Sequence, residues 1–133
     1  MKHSAEYYIE HLEMEPHVEG GYFKECLLEK EERNLWSSIY FMLAKGEVSH
    51  FHRLKSDEVW YYHDGNALTI YMIDEAGKLT AAKLGLDLEK GEAPQVLVPK
   101  GMIFGSAMEE EGFSLVGCMV SPCFKYEEFE LFD

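Results

Sequence analysis

Basic residues are scarce. Against 25 Asp and Glu, the 133-residue chain carries only 12 Lys and Arg, a formal net charge of −13 with histidine neutral. That balance argues against a nucleic-acid partner, whose phosphates need cationic side chains. It also repels anionic substrates unless a local cationic cluster reverses the field. Long apolar runs are missing too. None approaches the roughly 20 residues that cross a bilayer, so no membrane partner is expected. The opening Met1-Lys2-His3-Ser4-Ala5-Glu6 has no apolar core behind its charge, and a signal peptide is not expected. Cysteine is confined to Cys26, Cys118 and Cys123, an odd number without C-x-x-C spacing. A disulfide scaffold or a zinc ribbon is therefore not expected, and a reducing, cytoplasmic setting is.

What is present fits one packed domain over 1–133: 47% of residues are apolar and 14% aromatic. Ser4 can cap a short helix in which Ala5, Tyr8, Ile9 and Leu12 form one apolar stripe. Pro16 stops that helix near Met14. Strands are predicted over 22–28, 35–44, 67–73, 78–84, 95–98, 103–108 and 113–120, separated by turn signals such as Gly20-Gly21, Asp64-Gly65 and Gly77. The segment 126–132 reads as a short helix or a tail packed on the domain. The spacing is that of an all-β sandwich or barrel.

The densest chemistry lies in Gly46–Gly65, GEVSHFHRLKSDEVWYYHDG. In a regular strand, His50 and His52 share one face, and Glu58, Trp60 and Tyr62 share a face of the next strand. The stretch reads as strand, turn, strand, with imidazoles and a carboxylate able to converge.

A glycine, His-x-His, a glutamate and a glycine (Gly46, His50, His52, Glu58, Gly65), followed by Pro99-Lys100-Gly101, resemble the two motifs of the cupin superfamily. VEGGYFKE (18–25), SIYFML (38–43), SHFHRLKSDEVW (49–60), PQVLVPKG (94–101) and SLVGCMVSPCF (114–124) are similar to its uncharacterised Cupin_5 branch. The resemblance implies an all-β, double-stranded β-helix (jelly-roll) barrel with a short N-terminal helix. It also implies a homodimer and a small-molecule site inside the barrel, with dTDP-4-dehydrorhamnose 3,5-epimerase among the architectural relatives. It brings no settled activity. The motif spacings around the first histidine and before Glu58 depart from the general pattern, and Phe104 stands where metallocupins place their fourth ligand.

Three functions stay open. In an epimerase- or isomerase-like enzyme acting on a sugar or nucleotide-linked compound, His52 serves as base, Glu58 or Asp57 as its orienter, and a tyrosine (Tyr40, Tyr62 or Tyr71) as acid. Lys24, Glu25, Arg53, Trp60 and Phe104 are then candidates for ligand contact, with Lys100 a further cation, although packing is the commoner role of a large aromatic such as Trp60. In a metal-dependent oxygenase or isomerase, His50, His52 and Glu58 form a facial triad for Mn, Fe, Ni or Zn. In a ligand-binding or sensor protein, the same pocket works without chemistry. Glu19 flanks the Gly-Gly turn within reach of the barrel mouth, and Cys118 reads as a small buried hydrophobe.

Overall fold

Period-two alternation of apolar side chains governs most of the chain, and it yields strands. The computed structural model describes residues 3–28, 35–122 and 129–132. After helix α1 (Ala5–His11) come β1 (Glu15–Pro16), β2 (Tyr22–Leu28), β3 (Ser37–Ala44), β4 (Val48–Arg53), β5 (Asp57–Gly65), β6 (Leu68–Ile73), β7 (Leu79–Leu84), β8 (Glu92–Ala93), β9 (Gln95–Val98), β10 (Ile103–Ala107), β11 (Phe113–Ser121) and β12 (Glu130–Leu131). They form two six-stranded sheets, ordered β1-β2-β3-β11-β5-β9 and β12-β4-β10-β6-β7-β8. This is the expected jelly roll with an N-terminal helix. The remainder of the predicted 126–132 element, apart from the residues just named, lies outside the described residues.

The first sheet is covered on both faces. Inward, Phe41, Leu43, Trp60, Val116, Cys118 and Val120 join Leu68, Ile70 and Phe104 of the second sheet in the barrel core. Outward, Met42, Phe113 and Leu115 meet the predicted stripe of α1, Ala5, Tyr8, Ile9 and Leu12. The helix is capped by the Ser4 hydroxyl, which accepts from the Tyr7 N–H. Tyr8 pins it to the sheet by donating to Asp64 at 2.7 Å. The helix stops at His11, three residues before the expected end, because Leu12 caps it and Glu13 turns left-handed at φ 55°. Among the described residues, no helix is long and apolar enough to cross a membrane.

One irregularity decides the site. On β4, Ser49 pairs with Ser106 and His52 with Phe104, so His50 and Phe51 together oppose the single residue Gly105. This β-bulge inserts one residue and breaks the alternation. Glycine is needed opposite it, since a Cβ on residue 105 would lie 2.7 Å from the Ser49 carbonyl oxygen. The expectation that His50 and His52 share a face is therefore corrected: His52 is buried inside the barrel and His50 is exposed outside it.

Candidate active site in the barrel

A cavity of about 470 Å³ opens between the sheets. Apolar side chains, among them Phe23, Ile39, Leu54, Val120 and Phe129, form much of its wall, and His17, Glu19, His52, Glu58 and Cys118 supply the polar groups. His52 comes from β4 just after the bulge, Glu58 from the start of β5, and Cys118 from β11 beside it. Glu19 arrives from the turn between β1 and β2. That turn presses on β3 and β4 so closely that a Cβ on Gly20 would sit 1.9 Å from the Val48 carbonyl oxygen, and one on Gly21 2.4 Å from that of Met42. Both glycines have positive φ, 112° and 73°. The Glu19 carbonyl then accepts from the His50 N–H at 2.8 Å, tying the turn to β4.

His52 sits between two acceptors. Its Nδ1 is 2.7 Å from the His50 carbonyl oxygen and its Nε2 is 2.9 Å from Glu19 Oε2. A carbonyl oxygen only accepts, so Nδ1 carries a proton. With Glu19 ionised, Nε2 carries one as well. Burial works against that charge, but the Glu19 hydrogen bond and charge, then the charge of Glu58 and the His50 carbonyl, leave the His52 pKa above its ordinary value. The Glu58 pKa is raised as well, to about 8, which in a carboxyl favours the neutral form. Burial is the main cause, opposed by the charge of His52 and assisted by that of Glu19. The Cys118 thiol and the Trp60 indole N–H lie close enough to favour its ionised form. Trp60 Nε1 nevertheless makes no hydrogen bond of normal geometry, so its contribution is electrostatic. Burial and the adjoining Glu58 hold the Cys118 thiol protonated. The cavity thus places a Glu58 carboxyl that favours its protonated form beside the hydrogen-bonded His52–Glu19 pair.

His52, Glu58, Lys24 and Glu25 line the cavity as expected. The others do not. Tyr40 is on the outward face of β3, packed with the helix cluster. Tyr62 donates its hydroxyl to the Gly65 carbonyl, and Tyr71 donates to Glu109 on the surface. No described tyrosine lines the cavity, which removes the expected tyrosine acid. Arg53 is committed to Glu130, at 2.9 and 3.0 Å, and lies over the Phe132 ring. Trp60 is core, edge-on to Phe41 and Phe104. Phe104 is buried against the His52 ring, centroids 4.1 Å apart, instead of contacting ligand space. Lys100 is exposed, with its backbone N–H held by Asp57. Cys123 lies outside the described residues.

The donor set does not fit a divalent metal. His50 faces away, both His52 nitrogens are engaged, and among the described residues no three His, Cys, Asp or Glu side chains are grouped to hold an ion. Sequence reasoning missed His17 and the pairing of Glu19 with His52, because both residues come from a turn without strand periodicity. The Gly-Gly pair was the available signal that the backbone there approaches its neighbours closely.

Comparison with known proteins adds the following. The Cupin_5 family profile, described as Cupin superfamily (DUF985), matches residues 6–132. A crystal structure of a protein from Shewanella oneidensis is 59% identical, covers 98% of this chain and 85% of its own, and superposes with a TM-score of 0.94. A hypothetical protein from Leishmania major is 37% identical over 98% of this chain and 88% of its own, with a TM-score of 0.88. Oxalate decarboxylase from Bacillus subtilis shares the fold alone: 20% identity, 88% of this chain against 29% of that one, TM-score 0.68. No curated protein matches.

Proposed function

Because this chain belongs to the Cupin_5 family of the cupin superfamily, we propose that its barrel binds a small carbonyl compound, of the sugar or nucleotide-linked class, and acts on it as an epimerase- or isomerase-like proton-transfer enzyme. One observation carries the reading: on the wall of one cavity His52 is hydrogen-bonded between the His50 carbonyl and the Glu19 carboxyl, and Glu58, its pKa raised to about 8 by burial, lines the same cavity. A proton acceptor and a proton donor thereby coexist at one pH, which is the requirement for general acid–base catalysis.

The roles shift relative to the sequence reading. With both nitrogens occupied, His52 has no lone pair for substrate, and Glu19 is the base. Its carboxylate takes the proton α to the carbonyl. The C–H electron pair moves into a carbon–carbon double bond, and the carbonyl oxygen gains the charge. The Glu58 carboxyl returns a proton to carbon, and water entering the cavity then takes the proton from Glu19 and restores one to Glu58, while His52 holds the Glu19 carboxylate in place. No oxidant or metal enters this balance. Lys24 is the only Lys or Arg among the described cavity residues, which favours an unphosphorylated ligand over a nucleotide.

The test is α-proton exchange in deuterated water, followed by proton NMR over a panel of keto-sugars. The wild type should exchange at least one, and Glu19→Gln should not. Exchange that persists in Glu19→Gln, or a panel without any exchange, sinks the proposal. The same proposal includes a cytoplasmic homodimer, and light scattering on the purified protein checks the dimer.

A further inference from the structure

We infer that His17 is a further catalytic residue of this cavity, holding the Nε2–H tautomer and donating that hydrogen to the carbonyl oxygen of the ligand. The inference rests on the proton-transfer reading above and deepens it by naming the group that bears the developing charge.

The tautomer follows from one contact. The Glu19 backbone N–H lies 3.0 Å from His17 Nδ1 and donates to it. A backbone amide can only donate, so Nδ1 must keep its lone pair, and the ring proton of a neutral imidazole is then on Nε2. The ring is also fixed in place. It stands edge-on to Phe23 at 4.6 Å and to Phe41 at 6.1 Å. The turn that carries it is closed by hydrogen bonds from the His17 N–H to Gly21 and from the Gly20 N–H to His17.

The other end of the ring faces ligand space. His17 lines the cavity with its side chain 9% exposed. Its Nε2 has no hydrogen-bond partner among the described residues, yet it is not one of the sealed, unpartnered polar atoms of the core. The N–H therefore opens onto the cavity. Burial lowers the pKa of His17, with His52 acting the same way and Glu19 opposing them, so the ring enters the reaction uncharged.

A donor held there suits enolisation. When Glu19 removes the α-proton, charge collects on the carbonyl oxygen. A fixed N–H aimed at that oxygen stabilises it without any reorganisation. A neutral imidazole is the appropriate donor here, because Glu19 already carries the His52 contact and a second cation beside it would lower its basicity further. The ligand class is thus a ketone or aldehyde with a neighbouring C–H, and a polyol lacking the carbonyl should not engage His17.

The probe pair is L-erythrulose, a ketose too short to close a stable ring, and erythritol, the polyol of the same chain length. Long-range proton–nitrogen NMR of the whole protein with labelled histidine should show His17 as the Nε2–H tautomer at neutral pH. Erythrulose should shift its Nε2 signal and erythritol should not. An Nδ1–H tautomer, an equal response to both compounds, or no response to erythrulose overturns the inference. If erythrulose moves the His52 signals and exchanges its α-proton while His17 stays unmoved, this inference fails and the proton-transfer reading stands. Exchange surviving in Glu19→Gln removes that reading instead. His17→Phe keeps an aromatic ring against Phe23 and Phe41 but removes the N–H, and it should lower kcat for exchange by about 100-fold or more with KM little changed. An unchanged kcat overturns the role. The NMR arm uses the wild type alone, so it decides the matter even if that variant fails to fold.

Discussion

Replacing Glu58 by Gln should stabilise the protein by an amount that grows with pH. Glu58 is buried, 7% exposed, and its pKa rises from 4.5 to about 8. A carboxyl with a higher pKa folded than unfolded holds a proton in the native state that the unfolded chain has released. The stability of the wild type therefore falls as pH climbs above about 4.5, and this loss is complete above about 8. The interval, 8 minus 4.5, is about 3.5 pH units at about 1.4 kcal/mol each, a ceiling of ~5 kcal/mol. Coupling to His52 and Glu19 spreads the proton over several groups, so ~2–5 kcal/mol is the expected range. Gln reproduces the shape of the neutral acid and cannot ionise. His52, whose pKa is also raised, contributes stability that is present below its unfolded value and lost as pH rises through the folded one. That change has the same sign and largely cancels in the comparison of the two proteins. Urea denaturation at about pH 5.5, 6.5, 7.5 and 8.5 gives the difference directly. The variant's advantage should grow by about 1 kcal/mol per pH unit up to pH 8 and then level off. A difference independent of pH, or a variant that loses stability relative to wild type as pH rises, would refute a protonated Glu58.

Four further outcomes follow from the same geometry. His52→Leu leaves the Glu19 carboxylate buried without its partner and should cost ~3–5 kcal/mol, read as a lowered thermal midpoint. Gly20→Ala places a Cβ 1.9 Å from the Val48 carbonyl at a φ of 112°. It should destabilise by at least ~2 kcal/mol and reduce α-proton exchange, since the same turn delivers Glu19. Arg53→Ala breaks a pair whose side chains are 39% and 55% exposed, so global stability should change by less than ~1 kcal/mol. Limited proteolysis should nonetheless release the C-terminal strand faster. Untagged protein mixed with Mn(II) or Zn(II) and desalted should retain no stoichiometric metal by elemental analysis, and stoichiometric retention would restore a ligand role to His52 and Glu58 despite their present partners.

The barrel was legible because strand periodicity is local. The residues predicted for 22–28 and 95–98 are the strands observed, and the stripe of Ala5, Tyr8, Ile9 and Leu12 is the helix face that packs. The motif histidine His52 and Glu58 were legible for the same reason, as markers of a barrel interior. The faces of the tyrosines were not. β3 and β11 are buried on both sides, so apolar and aromatic residues occupy both faces and alternation no longer separates inside from outside. Arg53 was placed wrongly because its partner, Glu130, is 77 residues away.

What the sequence determined by itself was the class of fold and the two side chains at the centre of the cavity, since these follow from side-chain period and short motifs. Which groups share that cavity was settled only by tertiary structure. His50 leaves it because a bulge on β4 forms opposite Gly105, on a strand more than fifty residues later. Glu19 and His17 enter it because two glycines let a distant turn come within contact of β3 and β4. Backbone approach between segments far apart in the chain leaves no period for a sequence to display.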